Sequence, residues 1–194
     1  MGKNFEPILN HVGVLVRSVE KSAAKIQKLG FAVGKVEKWP GEGTLEIYVG
    51  DPAYRGRLLL MEPYTEGAYQ RAMNKRGPGL HHTAIDVNDL EGFIDSLSGS
   101  GWLLHPKSVK SIPELRTAWL SRPGVPTLIE VQQREKHSEQ MAASAFITQI
   151  GISTNLDDRR LIGALSCADV IASGNDHCHV IIESMRLCLN DLIA

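Results

Sequence analysis

Apolar and polar residues alternate from residue 8 to residue 16, in a stretch rich in Val, Ile and Leu, and this period of two predicts a β-strand. From Val19 to Leu29 the apolar spacing lengthens to that of a helix, which stops at Gly30. Three short β-type runs follow, FAVGKVEKW, TLEIYVG and RLLLMEP, separated by Pro-Gly and Asp-Pro turn signals. The same succession then returns as HTAIDV, a helix from about Leu90 to Leu97, and the runs WLLHPKSV, RTAWLS and TLIEVQQ. Between the two copies, Thr65 to Gly79 forms a connector that ends in Gly77-Pro78-Gly79 and has room for a short helix.

The two copies are related by a constant offset of 71 residues. His11-Val12-Gly13-Val14-Leu15-Val16 returns as His82-Thr83-Ala84-Ile85-Asp86-Val87, and the match runs without a gap to Gly30-Phe31 against Gly101-Trp102. Leu59 falls opposite Glu130, and the spacing of 48 residues from His11 to Leu59 and from His82 to Glu130 shows that both copies keep their length. One βαβββ unit has been used twice, at about 8–63 and 80–134, within a region spanning 1–134.

Residues 135–194 lie outside this double unit. KHSEQMAASAF suits a linker or short helix, and Asn155 is an N-cap candidate for the helical run after it. FITQIGIST echoes the first strands, with Gly151 matching Gly13 and Gln149 in the place of His11, while the last run fits helix or strand equally. The extension is therefore either a truncated third module or a helical appendage, placed to cover a sheet edge or a dimer interface; a homodimer is expected.

With 194 residues and 43% hydrophobic content the chain can bury a sizeable core. A net charge of −1, with scattered Lys and Arg, argues against nucleic-acid binding. No stretch resembles a signal peptide or membrane helix, so no membrane association and a cytoplasmic location are expected. Cys167, Cys178 and Cys188 lack the spacing of a disulfide framework or zinc knuckle and are expected to be reduced structural thiols.

Ring nitrogens of His11 and His82 and a carboxylate oxygen of Glu130, brought together by the repeat, suit a divalent ion such as zinc, cobalt, nickel, manganese or iron. Alternation along a strand sends only one of His81 and His82 into a sheet-lined pocket, and the repeat selects His82. His177-Cys178-His179 has no matching partner motif and is taken as structural. Arg55, Arg57, Lys75 and Arg76 are available to anionic groups but fit a solvated face equally.

Tandem βαβββ units, a His in the first strand of each and a Glu in a final IE-type strand resemble the glyoxalase, or vicinal oxygen chelate, superfamily. Within it GLHHTAIDV, LEIYVG, LLLMEP and TLIEVQQ are most similar to the methylmalonyl-CoA epimerases. The resemblance implies an α+β fold in which the tandem modules form a cup-shaped mixed sheet around one site. It further implies a metal-dependent lyase or isomerase that transfers a proton next to the carbonyl of a small-molecule or acyl-CoA substrate. Glu46 matches the catalytic glutamate of the resembling enzymes, and Glu130 would be both metal ligand and opposite base. Leu59 departs from the pattern, which has a fourth ligand there. Two alternatives stay open: a two-His-one-carboxylate iron dioxygenase of the ring-cleaving type, and a metal-free small-molecule-binding protein of the same fold.

Overall fold

In the computed structural model, which describes residues 5–155, 158–174 and 177–193, β1 (Ile8–Leu15) pairs antiparallel with the first strand of the second copy, Gly79–Val87. Around this central pair each copy wraps its own elements. The first contributes α1 (Val19–Gln27), β2 (Glu37–Trp39), β3 (Thr44–Val49) and β4 (Arg57–Pro63). The connector contributes α2 (Ala68–Arg76). The second copy consists of β5 (Gly79–Val87), α3 (Leu90–Ser96), β6 (Leu103–Leu104), α4 (Ser108–Leu115), β7 (Thr117–Ser121) and β8 (Leu128–Gln133). The result is one eight-stranded mixed sheet of order β2-β3-β4-β1-β5-β8-β7-β6, the expected α+β architecture. The repeat extends to the helix caps. Ser18 Oγ accepts from Lys21 N at 3.3 Å to start α1, and Asp89 Oδ1 accepts from Gly92 N at 3.0 Å to start α3.

The run WLLHPKSV departs from the expected strand. Only Leu103 and Leu104 pair with β7, and residues 108–115 are helical. Serine hydroxyls replace the missing ladder: Ser108 Oγ accepts from Trp119 N (2.7 Å) and donates to Trp119 O (3.1 Å), and Ser111 Oγ donates to Thr117 O (2.7 Å). Beyond β6 the polar edge of β7 is thus satisfied by the His105 N–H and the side chains of α4 instead of by more strand.

Residues after β8 form α5 (His137–Ala142), β9 (Ile147–Ser153), α6 (Arg159–Ala164), β10 (Val170–Ser173), β11 (His179–Ile182), β12 (Met185–Cys188) and α7 (Leu189–Leu192). Asn155 Oδ1 accepts from Asp158 N at 2.9 Å, just ahead of α6. The strands make a second sheet of order β10-β9-β11-β12. In it Gly151 stands opposite His179, whose ring covers the glycine just as the His82 ring covers Gly13. This sheet shares one continuous apolar core with the helix-covered face of the larger sheet, through Phe146, Ile150, Leu161 and Val180. Among the described residues no helix is long and apolar enough to cross a membrane.

A polar tie complements that core. Asp169 Oδ2, next to β10, accepts from Arg55 Nη1 at 2.5 Å and from the backbone N–H of Leu9 at 3.2 Å, so Arg55 is committed to the extension. Asp169→Ala is expected to lower stability by about 1–3 kcal/mol, since it strands a partly buried cation and a strand N–H. Asp169→Asn, which keeps an acceptor, should lose less; equal losses in denaturant unfolding would contradict this account.

Candidate metal centre

Two irregularities in the central ladder shape the concave face. Between Leu9 and His11 the first strand carries one extra residue, Asn10; between Gly13 and Val14 the partner strand carries one extra, His81. These bulges are themselves related by the 71-residue offset. Each interrupts alternation just before a histidine. His81 is consequently not turned away as strict alternation requires: its Nδ1 lies 3.0 Å from His82 Nδ1, and its ring packs against Tyr69 at 4.8 Å.

His11, His82 and Glu130 are buried and converge, with ligand atoms all within 4.8 Å of one another. The two Nε2 atoms are 2.9 Å apart, and Glu130 Oε2 lies 3.9 Å from His11 and 3.7 Å from His82. Gly13 makes this possible. It faces His82 across the ladder, and a Cβ on it would overlap three atoms of the His82 ring.

The bulge residues also orient the rings. Asn10 Nδ2 donates to Asp86 Oδ2 at 2.7 Å, which turns Asn10 Oδ1 toward His11; there it accepts from Nδ1–H at 2.7 Å and leaves Nε2 a lone pair. His82, when it donates Nδ1–H to His81, likewise presents Nε2 unprotonated. Two lone pairs 2.9 Å apart beside a carboxylate form a donor set that calls for a cation. Neutral imidazole nitrogens and a carboxylate oxygen are the donors that a divalent ion takes, so the residue types fit such a metal.

Burial decides the protonation of this cluster. It is the main cause that lowers His11 to about 3, with Arg134 and Arg57 adding to it, and that lowers His81 to about 3, with Arg76 and Lys107 adding. His82 is pushed well below its ordinary value by burial, then by His11, His81 and Lys107. All three rings are neutral at pH 7, the form that ligates. Burial also raises Glu130 to about 7, against the bond from Gln132 and the charge of Lys107.

Glu46 is not a member of the cluster but shares its concave face. It lies on β3 opposite Met61, two residues from Tyr48, whose ring is edge-on to His11 at 6.0 Å. Thr44 Oγ1 donates to Glu46 Oε1 at 2.7 Å; burial, helped by Glu42 and Glu37, raises the carboxyl above its ordinary value. Leu59 occupies the position equivalent to Glu130 and packs in a small apolar cluster with Leu15, Met61 and Tyr69.

Several neighbours escape an argument based on single motifs. Tyr48 and Trp119 are a repeat pair, and each stands edge-on to its module's histidine at an interplanar angle of 82°. Arg57 lies over the Tyr48 ring at 4.1 Å and Lys107 over the Trp119 ring at 4.9 Å. The offset that pairs His11 with His82 also pairs Asn10 with His81 and Tyr48 with Trp119, and is the signal that could have found them. Arg76 and Lys107 flank a cavity of about 200 Å³ bordered by Tyr69, His81 and Trp119.

Comparison with known proteins gives a consistent result. The family model for the Glyoxalase/Bleomycin resistance protein/Dioxygenase superfamily matches residues 10–118. A hypothetical protein, BH1468, from Bacillus halodurans C-125 superposes with a TM-score of 0.54 at 23% identity, covering 67% of this chain and 96% of the other. Methylmalonyl-CoA epimerase from Mycobacterium tuberculosis gives 0.50 at 22% identity, covering 67% and 89%. A selenomethionine methylmalonyl-CoA epimerase gives 0.52 at 21%, covering 69% and 99%. Comparison with curated proteins gave no significant match.

Two outcomes are expected. Gly13→Ala should displace the His82 ring and weaken divalent-metal binding by about 10- to 100-fold or more in a chelator competition; undiminished affinity would mean that His82 is no ligand. The second concerns metal-free protein, in which folded Glu130 holds its proton up to about pH 7, against an ordinary value of 4.5. Its contribution to stability is present below 4.5 and lost as pH rises through 7, so Glu130→Gln should gain on the wild type by about 3 kcal/mol over that interval. Denaturant unfolding with chelator present measures this, and parallel pH curves would refute it.

Proposed function

Because the chain belongs to the glyoxalase/bleomycin resistance protein/dioxygenase superfamily, we propose that it is a metal-dependent isomerase or lyase of the methylmalonyl-CoA epimerase type, moving a proton on the carbon next to a carbonyl. The observation that carries this reading is the shared concave face. It holds a dry donor set of His11, His82 and Glu130 and, one β-hairpin away, a half-buried carboxylate, Glu46.

His11 and His82 would hold the ion through Nε2, and Glu130 through a carboxylate oxygen. A divalent ion there supplies stabilisation for negative charge that develops on a substrate carbonyl oxygen. Glu46 takes the proton from the adjacent carbon. Its burial raises its basicity, and the bond from Thr44 holds one oxygen in place and leaves the other free to act. Glu130 lies across the sheet and serves as the opposite base. Tyr69 and Trp119 border a neighbouring cavity, where Arg76 and Lys107 suit an anionic acyl thioester such as an acyl-CoA.

One observation favours a second reading. With Leu59 in the apolar cluster the repeat supplies three protein ligands, the two-His-one-carboxylate pattern of ferrous oxygenases, and the Tyr48 phenol stands beside His11. Oxygen uptake by the iron-loaded protein with a catechol-type substrate would favour this reading over proton transfer.

Incubation with methylmalonyl-CoA in deuterated water tests the main proposal. His11→Ala, His82→Ala and Glu130→Ala are each expected to lose the metal, whereas Glu46→Gln should keep it and lose label uptake by about 10²- to 10⁴-fold. No uptake by the metal-loaded wild type would remove the epimerase assignment.

A further inference from the structure

We propose that Arg134 is a positioning residue of the metal centre, orienting from outside the ligand set both the nitrogen that His11 presents and the oxygen that Glu130 presents. The inference rests on reading His11, His82 and Glu130 as metal ligands. Arg134 directly follows β8, and its backbone N–H is anchored on Val87 O at 3.2 Å. Its guanidinium reaches in two directions. Nε donates to Asp86 Oδ1 at 3.1 Å, and Nη2 donates to Gln132 Oε1.

From these contacts two arms run to the site. Asp86 Oδ2 takes Asn10 Nδ2 at 2.7 Å, and Asn10 Oδ1 takes His11 Nδ1–H at 2.7 Å. Gln132 Nε2 donates to Glu130 Oε1 at 2.9 Å, which leaves Oε2 as the oxygen nearer the two imidazoles. Each arm passes through a side-chain amide, and an amide can present either its oxygen or its NH₂ in one position. The choice is made at the outer end. An ionised carboxylate only accepts, so Asn10 must turn its NH₂ to Asp86 and its oxygen to His11. A guanidinium only donates, so Gln132 must turn its oxygen to Arg134 and its NH₂ to Glu130.

Arg134 joins the two arms: it fixes the Gln132 amide directly, and its bond and charge beside Asp86 oppose the burial that favours the protonated carboxyl, so Asp86 keeps the acceptor that fixes the Asn10 amide. Asp86 is fully buried, whereas the Arg134 side chain is 40% exposed, so the residue contributes little to the core. A lysine would keep a positive charge beside Asp86, but a single ammonium lacks the planar fork that serves two acceptors at once.

The test compares wild type, Arg134→Met and Arg134→Lys. Imidazole ¹⁵N NMR of the metal-free protein should show His11 as the Nδ1–H tautomer in the wild type and as a mixture of tautomers in Arg134→Met. Zinc affinity, read by competition with a chelating dye, should fall about 10- to 100-fold in Arg134→Met. Arg134→Lys should keep the tautomer and lose part of the affinity, and if Arg134→Met does not fold, undiminished zinc affinity in Arg134→Lys would overturn the proposal. Asn10→Leu and Gln132→Leu should each weaken zinc binding alone but add little in the Arg134→Met background. An unchanged His11 tautomer in Arg134→Met, or losses that add independently, would overturn the proposal. If the wild type takes up no zinc, the ligand reading falls, and the tautomer decides the positioning role by itself.

Discussion

The antiparallel pairing of β1 with β5, and above all its register, is the constraint on which the rest of the structure depends. With Gly13 opposite His82 and His11 opposite Ala84, each histidine ring faces a residue with little or no side chain. That leaves room for two imidazoles to meet at 2.9 Å. A one-residue slip would send both sets of side chains to the opposite face and destroy the site. The bulges at Asn10 and His81 sit within this ladder and place a polar group on Nδ1 of each histidine. Register and bulges together set which histidine atoms point inward.

Such a cluster is costly to bury, and the surroundings account for how it persists. Neutral imidazoles are cheaper in a dry environment than charged ones, and burial keeps them neutral. The carboxylate of Glu130 is bonded by Gln132, and the chain of partners leads outward to Arg134 at the rim. On the opposite face of the sheet α1, α3 and the C-terminal strands form one apolar core. The concave face is therefore supported from behind, and the positions of His11, His82 and Glu130 follow from packing as well as from hydrogen bonds.

Duplication produced symmetry, and substitution has since divided the labour between the halves. The second copy keeps the acid, Glu130, while the first has Leu59 in an apolar cluster with Tyr69 from the connector helix. Glu46, in turn, has Thr117 as its repeat partner. The second half brings His82 and Glu130 to the cluster, and the first brings His11 together with an apolar wall and a carboxylate of raised pKa. The proton transfer proposed above would draw on that division, with charge stabilised at the cluster and a base across from it.

The sequence by itself determined the repeat, the strands that carry it and the three residues that converge. A duplicated pattern implies equivalent places, and period-two alternation says which face each side chain takes. His11, His82 and Glu130 were legible because the 71-residue repeat gives them related places. His81 was not, since a bulge suspends alternation and no local pattern announces a bulge. In the run WLLHPKSV only Leu103 and Leu104 pair as strand, while its last two residues begin α4, because the need of β7 for partners is visible only once α4 lies against it. Asn10, Asp86, Gln132 and Arg134 carry no motif, and what joins them is hydrogen bonding between elements distant in the chain. The second sheet, too, was decided by tertiary structure. Its strands are short and ambiguous in isolation, and they become strands by pairing with one another and burying their apolar side against the larger sheet.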